Sequence, residues 1–225
     1  MIRTVQSMFA CVALMVATAG QVQAALINGD FQTGDLTGWT TFTTGNGTIG
    51  TPTVVSFDTA GTGASLASRF SVGQVINSGS QQGGGIFQSV VVSTPGIYDL
   101  YVDIAVARLN SSNNGSAGVF SLLLDGVTID SHDFGIFPGG GTTLRSSLAQ
   151  TVNLAARTYE FRVLVTRPFT VPDGLGQYLD NARFDPVLST VPEPTSLAIF
   201  GIGACVAGLG AARRLRREKQ KVATV

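Results

Sequence analysis

Residues 97–107 read Ile-Tyr-Asp-Leu-Tyr-Val-Asp-Ile-Ala-Val-Ala, and this stretch decides the fold class. Its apolar side chains recur at every second position from Tyr98 to Val106. Because successive side chains of a β-strand point to opposite faces of a sheet, this alternation predicts a strand with one face in a core. The side chains of Asp99, Tyr101 and Asp103 are predicted to lie on the opposite face.

Similar strand patterns occur on both sides of this stretch. The alternation recurs in Phe120–Leu124, which the hairpin-type dipeptide Asp125-Gly126 follows, and again in Tyr159–Val165. Further candidate strands are Phe70–Ile76, Phe87–Val92, Leu148–Leu154 and Tyr178–Phe184. About eight strands at this spacing, with no helical pattern before Thr195, predict an all-β antiparallel sandwich.

The amino-terminal residues have the three parts of a secretory signal peptide. Arg3 supplies a positive charge, Met8–Ala19 is apolar, and small residues precede a cleavage point after Ala24. This order predicts export, with residues 1–24 removed. The alternative is an uncleaved membrane anchor, for which the apolar segment is short.

The carboxyl-terminal tail, residues 189–225, contains a short motif, an apolar run and a basic end. The motif is Val191-Pro192-Glu193-Pro194, and the uncharged run Thr195–Ala212 follows it. As a helix this run measures about 27 Å, close to the hydrocarbon thickness of a bilayer. The basic end, 213–225, contains Arg213, Arg214, Arg216 and Arg217. These arginines are predicted to stay in the cytoplasm, which places the preceding residues across the membrane.

The three parts in this order resemble the PEP-CTERM sorting signal of Gram-negative bacteria. The resemblance implies that an exosortase-type enzyme processes the tail. It also implies an inner-membrane anchor facing the periplasm before processing, and a later location at the cell surface or in the extracellular matrix. Family members are associated with extracellular polysaccharide and biofilm. The alternative is a proline stop before an ordinary membrane helix.

The composition of residues 25–194 excludes several classes of function. This segment has seven arginines, no lysine and 13 acidic residues, a net charge of −6, which disfavours nucleic acid as a partner. Cys11 and Cys205 both lie outside it, so it has neither disulfides nor a catalytic thiol. The net charge of zero for the whole chain conceals this separation of charge.

The ends of the β-domain, residues 25–188, carry a second resemblance. Leu26–Gly34, followed by Leu36-Thr37-Gly38-Trp39, and the closing Tyr178–Phe184 resemble galactose-binding-like jelly rolls, a fold common among carbohydrate-binding modules. The resemblance implies a jelly-roll sandwich with Trp39 in its core.

The same resemblance implies a structural calcium ion, with Asp30, Gln32 and Asp180 as candidate ligands. Gln32 stands where the family has a carboxylate, and calcium prefers several charged oxygens. Asp180 shares its strand parity with Ala182 and Phe184, so we expect its carboxylate to point inward. The alternative to calcium is a set of backbone N–H groups that bond this carboxylate.

The sequence disfavours an enzyme. His132, the one histidine, is predicted to be a solvated residue near a hairpin end, and no nucleophile or zinc motif is present. The glycine triplets Gly83–Gly85 and Gly139–Gly141 lack the ending of a phosphate loop and are predicted to be flexible loops. The threonine-rich stretch Thr40–Thr53 is predicted to be a surface loop or an edge strand.

Asp99, Tyr101 and Asp103 are the candidate ligand-binding residues. An aromatic ring between carboxylates suits a sugar, although a tyrosine packed beneath a neighbouring loop is the alternative. Three hypotheses follow: a non-enzymatic surface or matrix protein that binds polysaccharide, a secreted polysaccharide hydrolase, and a passive cargo domain without a ligand.

Overall fold

The computed structural model describes residues 25–109, 115–138, 141–169 and 174–187. The predicted signal peptide, the Val191–Pro194 motif, the apolar run and the basic end therefore lie outside the described residues. Within the part that is described, no helix has the length and apolar character needed to cross a membrane.

The described residues are all-β, as the alternation in the sequence predicts. The strands are β1 Thr40–Thr43, β2 Gly47–Thr48, β3 Thr53–Phe57, β4 Ser65–Phe70, β5 Gly73–Gln74, β6 Gln82–Val92, β7 Gly96–Arg108, β8 Val119–Leu124, β9 Val127–Asp133, β10 Thr143–Leu154, β11 Arg157–Arg167 and β12 Leu175–Pro186.

The strands form two packed antiparallel sheets. Sheet I has the order β1-β6-β11-β8-β9, sheet II has the order β10-β7-β12-β4-β3, and β2 pairs with β5 in a small third sheet. From β6 onward the chain passes between sheets I and II at every connection except the β8–β9 hairpin. This alternation between two antiparallel sheets confirms the sandwich of jelly-roll type.

The core between the sheets confirms the alternation in residues 97–107. The five side chains of the predicted apolar row are at most 3% exposed: Tyr98, Leu100, Val102, Ile104 and Val106. The Trp39 ring also lies in the core, where it stacks on Phe31 with centroids 5.9 Å apart and meets the edge of Phe161 at 6.1 Å. Both sheets thus contribute to one continuous apolar cluster.

The prediction that Gly83–Gly85 form a loop is wrong, because all three glycines belong to β6. A Cβ at these positions would collide with the backbone carbonyl oxygens of Val165, Phe42 and Val163, respectively. Neighbouring strands approach β6 so closely that only glycine fits. In the second triplet, residues 139–140 are outside the described part of the chain.

The structure also contradicts two smaller predictions, which concern His132 and the residues after Phe70. His132 lies within β9 rather than in a loop, with its ring 4.5 Å from that of Phe134. The predicted strand Phe70–Ile76 is wrong because β4 ends at Phe70, and only Gly73–Gln74 of the following residues form a strand. The threonine-rich stretch supplies an edge strand, β1, as one of its two predicted forms.

The prediction that Asp180 points inward is wrong because β12 contains a β-bulge. Asp180 pairs with Asp103 and Arg183 pairs with Tyr101, so two residues of β12 stand opposite the single Val102. Asn181 adopts a left-handed conformation there, with φ of 50°. Because directly paired residues of antiparallel strands share a face, Asp180 lies beside Asp103 on the outer face of sheet II.

Candidate functional site

The outer face of sheet II carries three rows of side chains that run across β10, β7 and β12. Directly paired residues of antiparallel strands have Cβ atoms about 4.5–5.5 Å apart, so each row is a set of neighbours. We call these nine residues the polar face. Row 1 is Thr151–Asp99–Asp185, row 2 is Ala149–Tyr101–Arg183, and row 3 is Ser147–Asp103–Asp180.

The last residue of β3 and the loop after it cover the part of the sheet beyond row 3. Phe57 stacks on Tyr178 with ring centroids 3.6 Å apart, and the Arg145 guanidinium forms an ion pair with Asp58 at 3.2 Å. Ala105 and Ala107 are buried beneath this cover. Within the described residues this cover ends before rows 1 and 2, where Tyr101 is partly exposed.

Rows 1 and 2 line an open groove of about 510 Å³. Its lining residues are Asp99, Leu100, Tyr101, Ala149, Gln150, Thr151, Arg183 and Asp185. The cross-strand neighbour of Tyr101 on β10 is Ala149, and this small side chain leaves space beside the aromatic ring. A smaller hollow of about 360 Å³ adjoins the groove and shares Arg183 and Asp185 with it.

Two contacts hold the Tyr101 side chain in place, and a third holds the Asp103 carboxylate to which its hydroxyl donates. The Arg183 guanidinium lies over the ring, with its Cζ atom 4.4 Å from the centroid. The Tyr101 hydroxyl donates to Asp103 Oδ1 at 2.5 Å, and Asn181 Nδ2 donates to Asp103 Oδ2 at 2.9 Å. Burial raises the pKa of Tyr101, and the Asp103 carboxylate adds to this rise. Tyr101 is therefore a neutral, oriented phenol across the physiological pH range.

The two carboxyl groups of row 3 are buried beside the groove, whereas Ser147 is exposed. Asp180 is 1% exposed, and its carboxylate accepts hydrogen bonds from the Ser65 hydroxyl and from the Asn181 N–H at 2.7 Å. Burial raises the pKa of Asp180, and the nearby carboxylates of Asp103 and Asp30 raise it further. Asp103 is 7% exposed and accepts a hydrogen bond from the Tyr101 hydroxyl, so a buried residue of row 3 orients the Tyr101 side chain.

The candidate calcium ligands have hydrogen-bond partners within the described residues. The Gln32 side chain is exposed and donates from Nε2 to the Asp30 carbonyl at 3.0 Å, while its N–H donates to Asp30 Oδ1 at 3.3 Å. The Asp180 oxygens already accept two hydrogen bonds, one of them from backbone. Across the four described ranges, no three His, Cys, Asp or Glu residues are grouped so as to hold a metal ion.

The amide side chain of Asn28 organises the loop that contains Asp30. Asn28 Nδ2 donates to the carbonyls of Asp35 and Thr37, at 3.0 and 3.2 Å, and Asn28 Oδ1 accepts from the Thr33 N–H at 3.2 Å. The Ala182 N–H donates to the Gly29 carbonyl at 2.8 Å and joins this loop to β12. The two ends of the domain are therefore adjacent.

Comparison with known families decides what the tail is. Residues 190–217 match the family described as the PEP-CTERM protein-sorting motif. The chain carries a PEP-CTERM tail. A PEP-CTERM tail marks an exported protein that is anchored at the membrane before processing by an exosortase. No curated protein sequence matches the chain.

Several solved structures are similar to the part of the chain that precedes the PEP-CTERM tail. The enzymatically active domain of bacteriophage CBA120 tailspike protein 4 is 21% identical, with a TM-score of 0.45; the match covers 72% of this chain and 21% of the tailspike. A cyclase from Fischerella sp. TAU is 13% identical, with a TM-score of 0.45 and coverage of 75% and 99%. The CBM22-1 xylan-binding domain from Paenibacillus barcinonensis Xyn10C is 11% identical, with a TM-score of 0.39 and coverage of 72% and 94%. At these values, nothing about a ligand or a reaction follows.

Val187, the last described residue, follows the end of β12 that is nearest to row 1. The Val187 N–H donates to the Ile97 carbonyl at 2.8 Å, and Asp185 lies two residues earlier. The groove is thus formed by the last described residues before the tail together with β7 and β10.

The structure brings the three sequence candidates onto one face but gives them different positions. Asp99 is exposed, Tyr101 is partly exposed, and Asp103 is buried and hydrogen-bonded. Sequence reasoning did not identify Arg183 and Asp185 as members of this face. The available signal was the location of Arg183 in the predicted last strand, Tyr178–Phe184, with Asp185 directly after it. The pairing partner of this strand, β7, lies about 80 residues earlier.

Proposed function

We propose that this exported protein is a non-enzymatic surface or matrix component and that its groove binds extracellular polysaccharide. The observation that carries the proposal is the Tyr101 ring, which is fixed by Arg183 and Asp103 and borders an open groove. An oriented aromatic ring with a few convergent polar groups is the usual composition of a small-molecule site. Little conformational entropy is lost when such a rigid ring binds a ligand.

The polar groups around the ring suit a ligand rich in hydroxyl groups. Asp99 and Asp185 are hydrogen-bond acceptors, Arg183 is a donor, and Gln150 and Thr151 are both. Hydrogen bonds in which one partner is charged are stronger than neutral ones. A sugar ring placed against Tyr101 would have both acceptors and donors within reach, and an open groove admits a polymer.

The PEP-CTERM tail supports the extracellular part of the proposal. We propose cleavage by an exosortase-type enzyme near Pro194, followed by location at the cell surface or in the matrix. Mass spectrometry of the surface protein tests this step. A terminus near Pro194 is the expected result, and an intact 213–225 segment on surface protein contradicts it.

A second candidate function is polysaccharide hydrolysis, and one observation favours it. The structure places Asp99 directly opposite Asp185 across β7 and β12. Retaining glycosidases use two carboxyl groups about 5–5.5 Å apart. Release of reducing ends from a bound polysaccharide, abolished by Asp99→Asn and by Asp185→Asn separately, would establish this function in place of binding alone.

Binding is tested with the full-length chain purified in detergent. Affinity gel electrophoresis against a panel of neutral and acidic bacterial polysaccharides should show retardation by at least one polymer. Tyr101→Ala should weaken that retardation by at least about tenfold, which corresponds to about 1.4 kcal/mol.

The matched control is Phe169→Ala, which removes another aromatic ring, 41% exposed, that lies outside the groove. This variant should bind like the wild type. Equal losses in both variants, or no retardation by any polymer in the panel, would contradict the proposed function.

A further inference from the structure

We infer that the groove selects uncharged polysaccharide over acidic polysaccharide, and that Asp99 and Asp185 set this selectivity. The inference rests on the proposed function and adds the chemical class of the ligand. It concerns row 1, whose two carboxylates the sequence does not show to be neighbours.

The groove is lined by two negatively charged side chains and one positively charged side chain. Asp99 and Asp185 are directly paired, so their Cβ atoms are about 4.5–5.5 Å apart, and both residues are exposed. Among the eight lining residues of the groove only Arg183 is cationic. The buried carboxyl groups of row 3 add no positive charge, and residues 25–194 carry a net charge of −6.

These groups are also available to a ligand. One oxygen of Asp99 accepts from the Thr151 hydroxyl at 2.6 Å, and Asp99 is an exposed lining residue of the groove. Within the described ranges, neither Arg183 nor Asp185 has an ion-pair partner. The Arg183 guanidinium instead lies over the Tyr101 ring. Sugar hydroxyls can therefore donate to row 1 and accept from Arg183.

An acidic sugar meets repulsion in the same place. Rows 1 and 2 are about 6.6–6.8 Å apart along the strands, so a carboxylate seated on Arg183 is within one Debye length of both aspartates. Two negative charges oppose it and one positive charge attracts it. A neutral sugar makes the same hydrogen bonds without this repulsion, and like-charge contacts of this kind are a common source of specificity.

The test compares one polymer in two charge states. The neutral polysaccharide that the full-length chain binds is oxidised at its primary hydroxyls to carboxylates, and a portion is then methyl-esterified to restore neutrality. The wild type should bind the oxidised form about tenfold more weakly, and esterification should restore binding. Because salt screens charges, the difference should shrink in 1 M NaCl.

The variant Asp99→Asn/Asp185→Asn keeps the shapes of both side chains and removes both charges. It should bind the oxidised polymer within about threefold of the neutral one. The control Asp35→Asn/Asp133→Asn changes the net charge equally at exposed positions outside the groove, and it should discriminate like the wild type. This control separates a local effect from a global one.

The outcomes separate the two proposals. Absence of binding to every polymer in the panel overturns the proposed function together with this inference. Equal binding of neutral and oxidised polymer by the wild type, preference for an acidic polymer, or unchanged discrimination in Asp99→Asn/Asp185→Asn overturns the inference and leaves polysaccharide binding intact.

Discussion

Replacing Tyr101 by phenylalanine removes one hydroxyl group and keeps the ring that forms the groove wall. That hydroxyl donates to Asp103 Oδ1 at 2.5 Å, and Asp103 is 7% exposed. In the variant Asp103 Oδ2 still accepts from Asn181 Nδ2 at 2.9 Å, whereas Asp103 Oδ1 loses the donor that Tyr101 supplied. The substitution therefore tests whether the hydrogen bond between Tyr101 and Asp103 stabilises the domain.

The expected cost follows from this geometry. A hydrogen bond to a charged group contributes about 1.5–3 kcal/mol to stability, and a buried acceptor left without a donor loses that contribution. For a domain of this size, 1 kcal/mol changes the melting temperature by about 2–4 °C. Tyr101→Phe should thus lower the melting temperature of the full-length chain by about 3–12 °C in calorimetry.

Tyr98→Phe is the matched control because the Tyr98 hydroxyl donates to a neutral backbone carbonyl, that of Thr94, at 2.7 Å. Its loss should cost about 0.5–1.5 kcal/mol, less than the loss at Tyr101. A melting temperature unchanged in Tyr101→Phe, or lowered less than in Tyr98→Phe, would refute the account of Asp103 as a buried carboxylate held by Tyr101.

Three further predictions concern the fold, row 3 and the candidate ion. Gly84→Ala should destabilise the domain by at least about 2 kcal/mol in denaturant unfolding, because a Cβ there would lie 2.8 Å from Ile49 Cγ2 and closer still to a carbonyl oxygen; stability like that of the wild type would contradict the close strand approach. Because the pKa of Asp180 is raised above 3.8 in the folded protein, folding takes up a proton at pH values just above 3.8. The stability that protonated Asp180 contributes is therefore complete below pH 3.8 and is lost as the pH rises through the folded pKa. Relative to wild type, Asp180→Asn should therefore be more stable at pH 7 than at pH 3, and the opposite trend in urea unfolding would contradict the direction of the shift. Millimolar calcium should leave the melting temperature of the chelator-treated protein unchanged, whereas a rise of several degrees would show that an ion binds the folded state.

The sequence predicts those parts of the fold that depend on local alternation. The apolar row from Tyr98 to Val106 is buried as expected, because strand periodicity is a property of neighbouring residues. The placement of Tyr101 on the outer face follows from the same periodicity. No knowledge of the other strands is needed for either prediction.

Features that depend on distant strands could not be predicted in this way. The inversion of Asp180 arises from one extra residue in β12, and only the register against β7 shows it. Gly83–Gly85 resemble a loop in the sequence because the close approach of β1 and β11 is visible only in three dimensions. The pairing of Asp99 with Asp185 is non-local for the same reason, so the groove could not be read from the sequence.

The most direct test of the central claim is a crystal structure of the full-length chain, or of its processed form, with a short oligosaccharide from the polymer that it binds. The account predicts a sugar ring packed against the Tyr101 ring, with its hydroxyl groups bonded to Asp99, Asp185 or Arg183. A sugar bound elsewhere on the domain, with the groove between β10, β7 and β12 empty, would contradict it.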